Sequence, residues 1–330
     1  MQKIELHDSY NRRLNYLRIS ITDRCNLNCL YCLPELKVPK LSHDDILSYE
    51  EILRLVNIFV DLGMSKVRVT GGEPLVRKDV FTFLERLSRI DGLDDLSLTT
   101  NGLLLKDNLD KIKSAGIKRL NISLDTLKPE IYLKITGRDS FHQVMDAIHQ
   151  SVLKGFSPIK LNVVALRGIN DTELSDLAAL SLKNPFHVRF IEVMPFKKHK
   201  TNEAPPLLAP EIKKGLQKVG NLVPVANSIH DGPARRFKFE GALGEIGFIS
   251  PVTDHFCKHC NRLRLTADGR LRLCLLSDIQ IDLKTPLRSS CSDSDLAALI
   301  TQAIKNKPFE SGLTTGKNIQ ISGHMSAIGG

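Results

Sequence analysis

The sequence predicts an α/β fold, a partial (β/α)6 TIM-like barrel followed by a smaller C-terminal α+β region. Three observations carry this. Over the first two thirds of the chain, short β-branched apolar runs alternate with amphipathic stretches. Six β-then-α steps in series imply parallel strands with right-handed crossovers, in an open doubly wound sheet or a partly closed barrel. The segments richest in chemistry fall at the carboxyl ends of the candidate strands, where a barrel carries its site, and this favours the barrel.

The candidate strands are 16–21, 66–70, 95–100, 118–124, 158–165 and 187–193. The clearest helix is 49–62. It opens on a capping box, Ser48 with Glu51, and its apolar residues Ile52, Leu55, Val56 and Phe59 recur at helical spacing. Further helices fit 80–90, 108–115, 141–154 and 171–183. Residues 201–210 contain three prolines and read as a linker or loop. From Leu222 the pattern changes to short strands at 235–239, 245–249, 262–266 and 271–273, the last two joined by an Asp268-Gly269 hairpin turn. A helix over 293–306 and a Gly- and Ser-rich end follow. The division falls near residue 220, giving a barrel over 8–220 and a second region over 221–330.

Composition excludes whole classes. The chain has 330 residues, 42% hydrophobic and 25% charged, enough to bury a sizeable core. No run of 18 apolar residues suits a membrane span, and Met1–Arg13 lacks the apolar segment of a secretory signal, so a cytoplasmic protein is expected. The net charge of +9 fits a solvated surface, nucleic acid or an anionic small substrate. An aromatic content of 5% without tryptophan argues against a platform for stacking single-stranded bases. Seven cysteines in such a chain are no disulfide framework. They fall at 25, 29 and 32, at 257, 260 and 274, and at 291 alone, so two sites are expected and Cys291 reads as an ordinary thiol.

Cys25, Cys29 and Cys32 are spaced C-x3-C-x2-C directly after a strand. A zinc site wants four ligands, usually in two pairs. Three thiolates on one loop suit a [4Fe–4S] cluster with one iron left open. With Gly71-Gly72-Glu73-Pro74 after the second strand, the chain resembles the radical S-adenosylmethionine (SAM) superfamily. The resemblance implies that the open iron chelates SAM and that one electron cleaves it to a 5′-deoxyadenosyl radical. The strand-end segments Thr99–Gly102, Ser123–Thr126 and Glu192–Pro195 agree with the barrel that this superfamily implies.

Cys257, Cys260 and Cys274 are spaced C-x2-C-x13-C, which suits zinc with His255 or His259 as fourth ligand, or a second open-iron cluster. Beside the first triplet, the second cluster is the better reading. Leu17–Arg24, Gly247–Pro251 and a terminal Gly329-Gly330 extend the pattern, and together these features resemble the GTP 3′,8-cyclase family of molybdenum cofactor biosynthesis. Asn28 departs from it, where the family often has Arg.

The resemblance implies two [4Fe–4S] clusters with three cysteine ligands each, SAM, and GTP as substrate. It places SAM at Tyr31, Gly72, Ser123 and Met194. It places GTP at Arg18, Arg68, Thr99, Lys160, Arg262, Leu263 and Arg264, with Lys66 and Arg189 as further basic candidates. Lys66 and Arg68 lie two apart on one strand and share a face, as do Arg262 and Arg264. The resemblance also implies that Gly329 and Gly330 reach the active site. The implied reaction abstracts H from C3′ of GTP, joins C3′ to C8, and ends in one-electron reduction and protonation. A one-electron reductant protein and a downstream cyclic pyranopterin monophosphate synthase are implied partners of a monomer or homodimer, with no nucleic acid or membrane. Two other readings remain: a peptide-modifying radical SAM enzyme and a basic zinc-binding nucleic-acid module. A P-loop is excluded, because Gly312–Lys317 is one residue short and lacks the following Ser or Thr.

Overall fold

The computed structural model describes residues 5–32, 40–194, 205–226, 232–253, 256–310 and 325–328. Strands β1 (Tyr16–Ser20), β2 (Lys66–Thr70), β3 (Asp95–Thr100), β4 (Arg119–Ser123), β5 (Ile159–Ala165) and β6 (Phe186–Glu192) lie side by side in chain order, each parallel to the next. Parallel neighbours need long crossovers, and helices supply them. These are α1 (Tyr49–Asp61), α2 (Val80–Ser88), α3 (Leu109–Ser114), α4 (Pro129–Thr136), α5 (Phe141–Leu153) and α6 (Leu174–Lys183). The expected strands match to within one residue at each end. All five positions of β1 and of β2 are buried, as expected for strands covered on both faces.

Helix α1 shows why the local signals worked. The Glu51 N–H donates to Ser48 Oγ at 3.1 Å, and the Ser48 N–H donates to Glu51 Oε2 at 2.7 Å. Its apolar face, Ile52 to Phe59, is buried in the core. Helix α4 is absent from the sequence reading, being short and mixed in polarity. It nevertheless starts at a proline and stops at Gly137, whose φ of 71° is easy only for glycine.

The C-terminal strands do not make a sheet of their own. Strand β9 (Glu245–Ile249) adds in parallel to β6, and β8 (Arg235–Phe239) and β7 (Leu222–Pro224) follow it antiparallel. On the other edge β10 (Arg262–Leu265) adds in parallel to β1, followed by antiparallel β11 (Arg270–Arg272) and β12 (Gln280–Asp282). Both open edges of the partial barrel are thus covered by one 12-stranded sheet. Helix α7 (Ala209–Leu216) begins inside the expected linker, and 201–204 lie outside the described residues. Helices α8 (Lys284–Arg288), α9 (Asp293–Ile304) and α10 (Met325–Ile328) complete the chain. No helix among the described residues is long and apolar enough to cross a membrane.

Register places the site. Tyr16 stands opposite Lys66 on one side and Arg262 on the other, and Arg18 stands opposite Arg68 and Arg264. Because side chains alternate, these six share the inner face of the sheet.

Candidate active site

A cavity of about 280 Å³ opens at the carboxyl ends of the barrel strands, and all six cysteines of the two triplets line it. Triplets more than 220 residues apart in the chain therefore serve one chamber. Cys291 lies outside it.

The first triplet sits on the loop after β1, held from both ends. The Asn28 and Leu30 N–H groups donate to the Thr136 and Ile135 carbonyls at the end of α4. Asn101 Nδ2 donates to Asn26 Oδ1 at 2.7 Å and reaches Cys25 Sγ at 3.8 Å. Burial raises all three thiols, Cys32 to about 12 and Cys29 well above its ordinary value. Three soft donors in an apolar setting fit a group that brings positive charge to its thiolates, as iron does.

The second triplet spans a 3₁₀ turn (Phe256–His259) and the end of the β10–β11 hairpin. Lys307 Nζ donates to the Arg262 carbonyl at 2.9 Å and to the Leu273 carbonyl at 2.5 Å, tying the two halves together. Arg12, in a buried pair with Asp8, donates to the Cys257 carbonyl at 2.7 Å. Burial pushes the Cys260 thiol up, but Lys307, Arg262, the Arg262 N–H and Arg12 outweigh it and bring it to about 6. This site accommodates bound negative charge. His259 is exposed, His255 lies outside the described residues, and no three Cys, His, Asp or Glu among the described residues stand close enough for a single metal ion. A cuboidal cluster spreads its three thiolates wider than a zinc ion does.

Four SAM candidates, Tyr31, Gly72, Ser123 and Met194, line the cavity. The Tyr31 hydroxyl donates to Asp125 Oδ2 at 2.6 Å, and the Val164 N–H donates to Asp125 Oδ1 at 2.8 Å. Burial raises Asp125 to about 6, against the pull of those two donors. Glu73, buried beneath the glycines, accepts from the Leu75 and Asn101 N–H groups and from Thr100 Oγ1, and burial raises it to about 7. Asp125 stood in the Ser123–Thr126 segment but gained no role from the sequence. Its i, i+2 spacing from Ser123 is the signal that could have found it.

Of the GTP candidates, Arg18, Arg68, Thr99, Arg189, Arg262 and Arg264 line the cavity. Lys66 and Lys160 do not. Lys66 lies one inward position deeper than Arg68 and pairs with Asp95 at 3.0 Å, a carboxylate that Arg119 also holds at 2.8 Å. Lys160 lies one inward position deeper than the lining residue Asn162. The Leu263 side chain points into the apolar core, so any ligand contact is left to its backbone. Gly329 and Gly330 lie outside the described residues. Burial and mutual repulsion lower Arg264 well below its ordinary value. A buried floor of guanidinium groups is stable chiefly when an anion joins it.

The comparisons with known proteins agree with this architecture. Residues 19–180 match the family described as the radical SAM superfamily, and residues 186–313 the family described as Molybdenum Cofactor Synthesis C. A GTP 3′,8-cyclase of Moorella thermoacetica is 46% identical over 325 residues, covering 98% of this chain and 100% of that protein. A GTP 3′,8-cyclase of Thermodesulfovibrio yellowstonii is 47% identical over 305 residues, covering 92% of this chain and 94% of that protein. Among solved structures, Streptococcus suis SuiB bound to its precursor peptide SuiA superposes with a TM-score of 0.61 at 13% identity, covering 94% of this chain and 75% of that one. That likeness concerns the fold alone. With two cysteine triplets on one chamber and relatives aligned end to end, the chain belongs to the GTP 3′,8-cyclase family of the radical SAM superfamily.

Proposed function

We propose that this protein cyclises GTP to (8S)-3′,8-cyclo-7,8-dihydroguanosine 5′-triphosphate, the first step of molybdenum cofactor biosynthesis. The observation that carries the reading is one chamber bounded by both triplets and floored by arginines. Cys25, Cys29 and Cys32 hold one [4Fe–4S] cluster, and Cys257, Cys260 and Cys274 a second. When bound, the first cluster and SAM supply a 5′-deoxyadenosyl radical, the hard chemistry of the reaction. The chain does the rest. Gly72, Tyr31, Ser123 and Met194 orient SAM, and Arg18, Arg68, Arg262 and Arg264 hold the triphosphate. Buried walls keep water from the radical. The barrel, 8–220, carries the first cluster and 221–330 the second cluster and the Gly-Gly tail, and both give arginines to the triphosphate. The free cysteines fit the cytoplasm, and the chemistry calls for a one-electron reductant protein and a cyclic pyranopterin monophosphate synthase downstream. Anaerobic incubation of reconstituted protein with SAM, reductant and GTP should yield 5′-deoxyadenosine and cyclised nucleotide in step. 5′-Deoxyadenosine without nucleotide product would defeat the reading.

Lys160 adds a pH signature. Burial, then Arg189, Arg119, Arg68 and Lys66, lower it to about 6, so above that pH it is largely neutral in the free protein. An arriving triphosphate favours the ammonium form. Binding therefore takes up a proton, and GTP affinity declines as pH rises from about 6. Calorimetry at pH 7.5 in buffers of different ionisation enthalpy should show less uptake for Lys160→Met than for wild type. Equal uptake would show that Lys160, beneath the cavity, does not respond to the bound triphosphate. Arg264→Ala should weaken GTP binding by roughly tenfold or more while both clusters assemble.

The terminal glycines give another test. Ile328 is 2% exposed and packs on Leu276, beside Cys274, and Met325 lines the cavity. Removing Gly329 and Gly330 is expected to leave SAM cleavage largely intact and to stop nucleotide cyclisation. An unchanged ratio of product to 5′-deoxyadenosine would show that the glycines are dispensable.

A further inference from the structure

At the floor of the chamber Tyr16 is 1% exposed, and its hydroxyl has no hydrogen-bond partner. A buried hydroxyl left unpaired is destabilising, because it has given up its hydrogen bonds to water. Its surroundings are cationic. Lys66 Nζ lies 4.7 Å and the Arg68 guanidinium 5.4 Å from the ring centroid, and Arg262 stands opposite in register. The ring itself is well provided for, by apolar burial and by these two cations on its π system. The hydroxyl alone is unaccounted for, and Tyr16 lines the cavity with Arg18, Arg68 and Arg262.

We infer that the Tyr16 hydroxyl is a phosphate-binding group, donating a hydrogen bond to an oxygen of the substrate's triphosphate. Four cations gather around the ring, and a phenol contributes a neutral donor where a fifth charge would add only repulsion. The electrostatics agree. Burial raises the phenol's pKa, but Arg68, Arg18, Lys66 and Arg262 outweigh it and lower the pKa, which strengthens the hydroxyl as a donor. Phosphate oxygens are the acceptors that such a group of cations would draw to it.

This inference rests on the placement of the triphosphate over the arginine floor, so the experiment tests the two separately. Tyr16→Phe keeps the ring, its burial and both cation contacts, and removes one oxygen. Affinity for GTP and for guanosine would be measured anaerobically on the cluster-loaded protein, for wild type, Tyr16→Phe and Arg68→Ala. Tyr16→Phe is expected to weaken GTP roughly tenfold and to leave guanosine affinity, iron content and SAM cleavage unchanged. A purely structural role would weaken both ligands equally, and that result overturns the proposal. So does undiminished GTP affinity in Tyr16→Phe while Arg68→Ala discriminates against GTP. If neither variant discriminates, the triphosphate lies elsewhere and both readings fall.

Discussion

Cys29→Ala is expected to abolish reductive SAM cleavage, whereas Cys260→Ala should keep cleavage but uncouple it from GTP. The two residues line one cavity yet lie in unlike settings. Cys29 is half-buried, and burial followed by Cys32, Asp125 and Cys25 drives its thiol up against a single hydrogen bond from Tyr31. Left to itself it stays a neutral thiol, so only a bound cation would hold it as a thiolate, and the other cysteines lining the cavity already belong to the two triplets. Cys260 is settled by Lys307, Arg262 and Arg12, whose charges remain when its sulfur goes. The Arg12 and Lys307 bonds go to backbone carbonyls, so the fold around the second triplet should survive the change. The expected losses are at least a thousandfold in 5′-deoxyadenosine formation for Cys29→Ala and complete loss of cyclised nucleotide for both variants. Anaerobic product analysis with iron quantification reads all of this. Full GTP-dependent turnover in Cys260→Ala lacking its second cluster would falsify the division of labour.

Much of this arrangement was legible in the sequence, for local reasons. Strands β1 to β6 were readable because each is a short apolar run between helical crossovers, and α1 because its cap lies within four residues. Period 2 put Lys66 with Arg68 and Arg262 with Arg264 on one face each, while the register that sets Arg18 opposite Arg68 and Arg264 came only from the sheet. Depth was not legible. The spacing that joins Lys66 to Arg68 states that both point inward, but not that Lys66 ends beneath the cavity against Asp95. Depth depends on the stagger between strands, a property of the assembled sheet. Nor could spacing show that β9 and β10 seal opposite edges of one sheet, or that Arg12 and Lys307 brace the second triplet from distant parts of the chain. Those contacts have no local pattern. Tyr16 was within reach, two residues before Arg18, but an aromatic in a strand reads first as core.

Gly72→Ala is expected to disable the first site while sparing the second. The Gly72 N–H donates to the Thr22 carbonyl at 2.7 Å and the Glu73 N–H to the Arg24 carbonyl at 2.8 Å, so this turn lies directly on the loop that leads into Cys25. A Cβ at Gly72 would stand 2.3 Å from the Arg24 oxygen and 2.6 Å from its carbonyl carbon. Those atoms are backbone and cannot swing aside as a side chain could. Either the Glu73–Arg24 hydrogen bond breaks or the loop carrying Cys25 moves, and each displaces groups that bound the SAM pocket. Overpacking of this kind costs roughly 1–3 kcal/mol in a core, but here it falls on the loop that carries the first triplet and on the proposed SAM contact together. SAM affinity should drop more than tenfold, with iron lost from the first triplet and kept at the second. Gly215 provides the control. It is exposed in α7 with nothing within 4 Å of an added Cβ, so Gly215→Ala should leave activity unchanged and stabilise the helix by roughly 0.4–1 kcal/mol. SAM affinity and iron content at wild-type level in Gly72→Ala, measured beside that control, would show that the close approach of these two backbones does not limit the site.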